Sequence, residues 1–261
     1  MLYGKYVVSG CLPFLSGLGA RTAMKALLPC LAGAALLSTG AQAQNQNQQG
    51  SQACSIPAAK VQSIQSKLAT VVNLPDHNGG IFQPNLMWSA VVDRSGTLCS
   101  VIVTGDAWPG SRAIAIAKAE TANDFSNSKL ALSTANLYAS TLPGGSLWGL
   151  NESNPFNAFY NQITTGSGGG TGVGQNPGGI ITFGGGVALY SNGQVIGGLG
   201  VSGDSSCADH AIAYRMRHLA GLDIIPSGVG LNGTDNIVYA ASGTTPTGFE
   251  QPHCFSTDIT P

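Results

Sequence analysis

Two pairs of apolar, strand-like segments joined by tight turns constrain the fold of this chain more than any other feature. The first pair is MWSAVVD and TLCSVIVTGD around the turn RSG, and the second is ITFGGGVALY and VIGGLGVSG around the turn SNGQ. Connections this short join antiparallel strands, because parallel strands need a crossover of a dozen or more residues. Helical patterns precede, separate and follow the two hairpins. The sequence therefore predicts an α+β fold in which helices flank one central antiparallel sheet.

Four segments carry helical patterns. We expect a first helix from Pro57 to about Val72, a second over RAIAIAKAETANDFS, a third and shorter one over KLALSTANLYAS, and a last one from about Ser206 to Leu219. A weak strand, NIVYAA, is expected after them. Between the third helix and the second hairpin lies a glycine-rich insertion at about 142–179, which is long for an irregular connection and is therefore either functional or mobile.

The second hairpin carries glycines in the spacing G-x-G-x-x-G, at Gly198, Gly200 and Gly203. A dinucleotide-binding turn needs this spacing inside a β-α-β unit, with an acidic residue at the end of the second strand. Here the strand belongs to a hairpin, and Asp223 directly follows the helix. The pattern therefore does not indicate a nucleotide site. We interpret these glycines as positions where another backbone or a flat ligand approaches the strand closely.

The N-terminal segment has the layout of a secretory signal peptide. From Met24 the chain reads one lysine, an apolar run and then Ala41-Gln42-Ala43, a small-residue cleavage site. We therefore predict a signal peptide over residues 1–43, with 1–23 as an upstream mis-assigned start, a polar tether at 44–56 and a single domain at 57–261. A membrane anchor is the alternative, although the apolar run is short for a membrane span. The expected location is periplasmic or secreted.

The chain after the signal peptide is acidic. It keeps twelve acidic and eight basic residues, a net charge of −4, without a run of lysines or arginines. Because nucleic-acid binding proteins carry a clustered basic surface, nucleic acid is not an expected partner.

Four cysteines remain after removal of the signal peptide: Cys54, Cys99, Cys207 and Cys254. In an exported protein this even number indicates two disulfides, for which three connectivities are possible. Four free buried thiols are the alternative. The element order favours Cys54–Cys99, because the first helix runs antiparallel to the strand it feeds and begins near the first hairpin turn. That pairing leaves Cys207–Cys254.

Several segments together resemble the GlcG/HbpS-like haem-binding family: IAKAETANDFS, FGGGVALY, GQVIGGLGVSGD and the helix ADHAIAYRMR. The resemblance extends over roughly Pro57 to Leu222. It implies a profilin-like α/β/α sandwich, frequent homo-oligomerisation, and binding of haem or iron. The insertion is longer than in the shorter members of that family.

The last helix carries the candidate haem ligands. His210, Tyr214, Arg217 and His218 fall within an arc of about 100° on a helical projection. His or Tyr can ligate haem iron, and a guanidinium can bind a propionate. His210 is our leading candidate for the metal ligand, because it follows Asp209 at the mouth of the glycine-rich strand. For each of these residues the alternative is a solvated helix face.

Two basic residues of the second predicted helix, Lys118 and Arg112, are further candidates for binding a propionate. The lysine could equally extend its ammonium group into water. Gly184 and Gly185 are candidates for close approach of a planar ring. Glu120 and Asp124 form an acidic pair, which alone is a weak metal site.

These observations favour an exported protein that binds haem, or a related tetrapyrrole or iron species, without turnover. One alternative is an enzyme that degrades haem or handles peroxide at bound iron. Another is an accessory protein that docks on a membrane sensor or transporter. The sequence contains no G-x-S-x-G or H-E-x-x-H motif, so it does not indicate a serine hydrolase or a zinc protease.

Overall fold

The structure is a computed structural model that describes residues 52–162 and 171–261. The predicted signal peptide and most of the predicted tether lie outside the described residues. Within them, no helix has the length and apolar character needed to cross a membrane.

In the described part of the chain, four strands form one antiparallel sheet, as the two hairpins predict. The elements are α1 (Ala58–Val71), β1 (Trp88–Asp93), β2 (Leu98–Val103), α2 (Ser111–Asp124), β3 (Gly186–Ser191), β4 (Gln194–Ser202) and α3 (Ser206–Leu219). The strand order is β2-β1-β4-β3, and every pairing is antiparallel. The two hairpins therefore join side by side through β1 and β4, which confirms the expected α+β architecture.

Helices cover both faces of the sheet. Helices α1 and α3 pack on one face in an apolar core, while α2 packs on the other face in a second core. The first core includes Ile64, Leu68, Val91, Leu199, Ile212 and Met216. The second includes Ala90, Val92, Ala115, Ile116 and Ala119. Neighbouring residues of β1 alternate between these cores, as the pleat of a strand requires.

The predicted third helix over 129–140 is wrong. In its place the structure has two short 3₁₀ turns, Thr134–Leu137 and Ala139–Thr141. The Asn136 side chain accepts from the amide and hydroxyl of Ser133 and donates to the carbonyl of Asn236, 3.1 Å away. Such side-chain bonds to nearby backbone compete with a regular helix. The segment is therefore shaped by a distant loop rather than by its own helical pattern.

The predicted strand over NIVYAA is also absent. Among the described residues this segment makes a single isolated bridge, from Tyr239 to Gln251. The bridge is parallel and belongs to the C-terminal tail. The tail therefore adds no strand to the sheet.

The glycines of β4 let the backbone of α2 approach the sheet. A Cβ atom at Gly198 would lie 2.0 Å from the carbonyl oxygen of Ala119, and one at Gly200 would lie 2.0 Å from that of Ala115. Neither distance is physically possible. Of the two roles considered for these glycines, the structure therefore supports close approach of another backbone.

The described parts of the insertion cover the side of α2 that faces away from the sheet. Just after the insertion, the amide of Ile181 donates to Thr121 Oγ1 at 2.9 Å. Arg112 donates to the carbonyl oxygens of Tyr160, at 2.7 Å, and of Thr171. Ala117, between these contacts, is only 4 % exposed. Helix α2 is thus enclosed between the sheet and the insertion.

Two disulfides join Cys54 to Cys99 and Cys207 to Cys254, which is the pairing that the element order predicts. The first links the segment before α1 to β2. The second links the first turn of α3 to the C-terminal tail. The paired cysteines are 45 and 47 residues apart in sequence.

Candidate functional site: a groove between α1 and α3

A groove of about 840 Å³ lies between the C-terminal part of α1, the loop that follows it, and the second half of α3. Leu74, Pro75 and Leu219 contribute apolar surface, and Tyr214 and His218 face it from α3. Residues four apart on a helix lie one turn apart on the same side, so Tyr214 and His218 are neighbours on α3. The groove therefore combines an apolar lining with two candidate metal ligands.

His218 is oriented by a neighbouring carboxylate. Its Nδ1 atom lies 2.6 Å from Asp223 Oδ2, and the His218 side chain is 71 % exposed. Asp223 follows the turn at Gly221, where φ is +66°, a conformation that suits glycine. This turn brings the carboxylate back to the end of α3.

Tyr214 is partly buried, and its hydroxyl lies 2.9 Å from Thr234 Oγ1. The guanidinium of Arg217 lies 4.9 Å from the centre of the tyrosine ring. The Tyr214 side chain therefore contacts the hydroxyl of Thr234 and the guanidinium of Arg217, and it also lines the groove.

Arg215 lines the groove and forms an ion pair there with Asp76. It donates to both carboxylate oxygens of Asp76, at 2.9 and 2.6 Å, and to Asn78 Oδ1 at 2.7 Å. The hydrogen bond from Arg215 lowers the pKa of Asp76. The guanidinium charge is thus already matched by a carboxylate.

His210 does not line the groove and is fully buried. The amide of Ile237 donates to its Nε2 atom at 3.0 Å, and Asn236 Oδ1 is also 3.0 Å away. The same amide also donates to Asn236 Oδ1 at 2.8 Å, so Nε2 accepts from Ile237 in one tautomer and donates to Asn236 in the other, while Nδ1 has no hydrogen-bond partner among the described residues. Burial lowers the pKa of His210 to about 4.

Arg217 is buried in a two-point ion pair with Asp235, at 2.6 Å for each contact, and also donates to the carbonyl of Ala188 at 3.1 Å. Although burial opposes it, the guanidinium holds the pKa of Asp235 below its usual value. Arg217 therefore ties the segment after α3 to the sheet and does not reach the groove.

Lys118 is buried in a polar cluster between α2 and α3. Its ammonium group donates to Asp209 Oδ2 at 2.7 Å and to the carbonyl of Val201 at 3.1 Å. Burial lowers the pKa of Lys118, against the attraction of Asp209, and raises the pKa of Asp209 to about 6, against the attraction of Lys118. Each charge in such a pair depends on the other, because an unpaired buried charge is costly.

Gly184 and Gly185 pack against this cluster. A Cβ atom at Gly184 would lie 2.3 Å from the carbonyl oxygen of Ser206, and one at Gly185 would lie 2.6 Å from Lys118 Nζ. Both positions are thus filled by protein atoms.

The structure therefore brings two of the eight predicted ligand-binding residues, Tyr214 and His218, to one groove. His210, Arg217, Lys118, Gly184 and Gly185 lie in buried contacts, and Arg112 holds the insertion. Sequence reasoning missed Asp223, Arg215 and Asp76. The spacing of His218 and Asp223 around a helix-ending glycine was a usable signal, whereas Asp76 reaches the groove only through the packing of α1 on α3.

Comparisons with known proteins give one family and several solved structures. The model of the family "Haem degrading protein HbpS-like" matches residues 85–217. Protein ORFY of Klebsiella pneumoniae is 24 % identical, over 66 % of this chain and 95 % of its own, with a TM-score of 0.46. A PduOC:haem complex is 24 % identical, over 64 % and 94 %, with a TM-score of 0.45. A double mutant of Streptomyces reticuli HbpS is 16 % identical, over 64 % and 88 %, with a TM-score of 0.42. The search of curated proteins gives no significant match.

Proposed function

Because this chain belongs to the family of HbpS-like haem-degrading proteins, we propose that it is an exported protein that binds haem, or a related tetrapyrrole or iron species, without turning it over. The observation that carries the proposal is the span of the family match, residues 85–217. This span includes the whole sheet, α2 and α3 as far as Arg217. It contains the groove residue Tyr214, whereas His218 lies one residue beyond it.

The groove between α1 and α3 fits a flat, largely apolar guest. Its volume of about 840 Å³ is within the usual range for small-molecule sites, roughly 300–1,000 Å³. Leu74, Pro75 and Leu219 would contact the ring, while His218 and Tyr214 offer the imidazole and phenol that ligate haem iron in proteins. When bound, haem supplies an iron atom that takes axial ligands from the protein.

The pairing of polar groups supports binding rather than turnover. Arg215 is matched by Asp76, His218 by Asp223, and the hydroxyl of Tyr214 by Thr234. A general acid or base must reach the proton that it transfers. The Arg215 guanidinium and the Tyr214 hydroxyl are already paired, and the proposal assigns the remaining ring nitrogen of His218 to iron. We therefore propose that the groove holds its ligand without reacting with it.

Export is supported by the two disulfides, because such bonds persist in oxidising compartments. The signal peptide remains a prediction from the sequence. N-terminal sequencing of protein purified from the periplasm or the medium tests it, and cleavage after Ala43 is the expected result.

Hemin titration tests the binding function. We expect purified protein to shift the Soret band with one equivalent of hemin. Substitution of the groove residue Leu219 by Glu should weaken binding by about tenfold, which corresponds to about 1.4 kcal/mol, because it removes apolar contact and repels the propionates. The matched control is Leu231→Glu, since Leu231 is also exposed but does not line the groove. If the two variants bind hemin with equal affinity, the groove is not the binding site.

The family description favours a second candidate function, degradation of haem. Loss of the Soret band with a reductant or peroxide distinguishes it from binding. Because free iron also bleaches haem, the test requires more than one equivalent of haem to be consumed per chain and a released product to be detected.

A further inference from the structure

We infer that His218, held by Asp223, would be the ligand of haem iron in the groove, and that the buried His210 would not. The inference rests on the proposed haem-binding function and deepens it by assigning the ligand. It follows from a comparison of the four histidines among the described residues. These histidines differ in exposure and in which ring nitrogen has a hydrogen-bond partner.

His218 lines the groove, and only its Nδ1 atom is engaged by another side chain. Its Nδ1 atom is 2.6 Å from Asp223 Oδ2, while Nε2 has no hydrogen-bond partner among the described residues. The carboxylate stabilises the tautomer with the proton on Nδ1, which leaves the lone pair of Nε2 available. Metal-bound histidines in proteins usually donate their second nitrogen to a carboxylate, carbonyl or water in this manner.

The carboxylate is held in place by the structure after α3. The amide of Gly221 donates to the carbonyl of His218 at 2.9 Å, and the amide of Leu222 donates to that of Arg217 at 3.2 Å. Leu222 is buried, and its carbonyl accepts from the amide of Tyr190 at 2.9 Å. Asp223 therefore projects from a backbone that is hydrogen-bonded to both α3 and β3. This backbone fixes the position from which the carboxylate contacts His218.

The other three histidines lack this arrangement. His210 is fully buried, with Nε2 engaged by Ile237. His77 lies in the 3₁₀ turn after α1 and does not line the groove. His253 pairs its Nδ1 atom with Asp258 Oδ2 at 3.3 Å, but it stacks on Tyr239, with the ring centres 4.1 Å apart, away from the groove.

Tyr214 is the competing ligand on the same helix. Its hydroxyl is already hydrogen-bonded to Thr234, and its ring contacts the Arg217 guanidinium. Ligation of iron by the phenol would require that hydrogen bond to change, whereas Nε2 of His218 needs no such change.

Hemin binding to four single variants tests the assignment, with absorption and low-temperature electron paramagnetic resonance spectra as readouts. For His218→Ala we expect a shifted Soret band, a changed resonance spectrum and at least about tenfold weaker binding, and added imidazole should restore the wild-type spectrum. Asp223→Asn should bind hemin about tenfold more weakly, as for other partners of metal-bound histidines. The matched control is His253→Ala, which removes a carboxylate-paired histidine outside the groove and should leave both spectra unchanged. The fourth variant is Tyr214→Phe, which should keep the histidine-type spectrum.

The outcomes separate the two proposals. If wild-type protein binds hemin and His218→Ala retains its spectrum and affinity, the ligand assignment is overturned and the binding function stands. A changed spectrum for Tyr214→Phe alone also overturns the assignment. If wild-type protein binds no hemin, both proposals fail. Because His218 is exposed, its substitution should leave the far-ultraviolet circular dichroism spectrum and the thermal midpoint unchanged, so loss of fold does not imitate the expected result.

Discussion

At the scale of single residues, the glycines of β4 show how one sequence pattern acquires its meaning from packing. Gly198 and Gly200 lie against the carbonyl oxygens of Ala119 and Ala115 on α2. The sequence indicated a close approach at these positions but not which partner approaches. The same sequence also shows that α2 is rich in alanine. Because alanine side chains are small, the helix backbone can approach the glycines of β4 closely.

Gly200→Ala should destabilise the protein by more than about 2 kcal/mol, because the new Cβ atom would overlap backbone that cannot shift without moving α2 from the sheet. Urea unfolding followed by circular dichroism measures the change. Gly110→Ala is the control, since a Cβ atom there would meet no atom within 4 Å and the backbone φ is −63°. We expect it to change stability by less than about 0.5 kcal/mol; similar effects for both variants would contradict the packing argument.

His210 should make the protein sensitive to acid. Its folded-state pKa of about 4 lies below the ordinary value of 6.5, so the unfolded chain binds a proton first as the pH falls. The stability that depends on neutral His210 is present above pH 6.5 and is lost as the pH falls towards 4. The full change is about 3 kcal/mol, since one pKa unit corresponds to about 1.4 kcal/mol.

The comparison of wild type with His210→Gln isolates this effect from that of the carboxyl groups. Glutamine can accept the Ile237 amide hydrogen bond but does not titrate. We expect the difference in unfolding free energy between the two proteins to shrink from pH 7 to pH 4. A difference that is constant with pH would show that His210 is not buried in its neutral form.

Prediction of the candidate site from the sequence was limited by what lies opposite α3. A helical projection grouped His210, Tyr214, Arg217 and His218 on one arc, but it could not tell which part of that arc is covered. Residues 234–237 cover His210 and Arg217 through Asn236 and Asp235. Nothing in the local pattern of α3 indicates this cover, because it comes from a segment after the helix.

At the scale of elements, the sequence predicts regular segments well and irregular ones poorly. The first and last helices agree with α1 and α3 to within a residue or two, because apolar side chains recur on one face of each. The predicted third helix fails because Ser133 and Asn136 bond to nearby and distant backbone. Local propensity is a weak guide where such tertiary contacts decide the backbone.

Arg112 should control the order of the insertion. We expect Arg112→Gln to lower stability by about 3 kcal/mol, because hydrogen bonds from a charged group contribute about 1.5–3 kcal/mol each and Arg112 makes such bonds to Tyr160 and Thr171. Hydrogen exchange should accelerate around residues 158–162 and 171–175. Hemin affinity should not change, since the insertion and the groove lie on opposite sides of the sheet.

The control for this variant is Arg215→Gln, which removes a partly exposed ion pair. Such pairs contribute about 0–1 kcal/mol, so exchange in the insertion should remain slow. Unchanged exchange in Arg112→Gln itself would show that other contacts hold the insertion on α2.

At the scale of the whole molecule, the hairpin turns determined the sheet and the order of elements determined the disulfides, and both could be predicted from the sequence. The groove could not, because it forms where two helices distant in sequence, α1 and α3, meet on one face of the sheet. Self-association and docking on a membrane sensor or transporter stay predictions, which light scattering and co-purification test.

Each disulfide should contribute substantially to stability. Replacement of Cys207 and Cys254 by serine should cost about 4 kcal/mol in the chain-entropy account, since the closed loop spans 47 residues. The tail should then exchange hydrogen faster, because Gln251 and the residues around it lose their covalent attachment to α3. A reducing agent should lower the urea midpoint of wild type by more than the substitution does, because it breaks both disulfides. It should lower the midpoint of the variant by less, since the variant retains only Cys54–Cys99.

The insertion also offers a place for grafting. The amide of Thr171 donates to the carbonyl of Gln162 at 2.8 Å, and the amide of Gln162 donates to Thr171 Oγ1 at 3.1 Å. Gln162 and Thr171, which flank residues 163–170 in the sequence, therefore lie next to each other. A foreign domain with neighbouring termini, exchanged for those residues, would emerge on the side of the molecule remote from the groove, and the chain would become a carrier for a fluorescent reporter that leaves ligand uptake undisturbed.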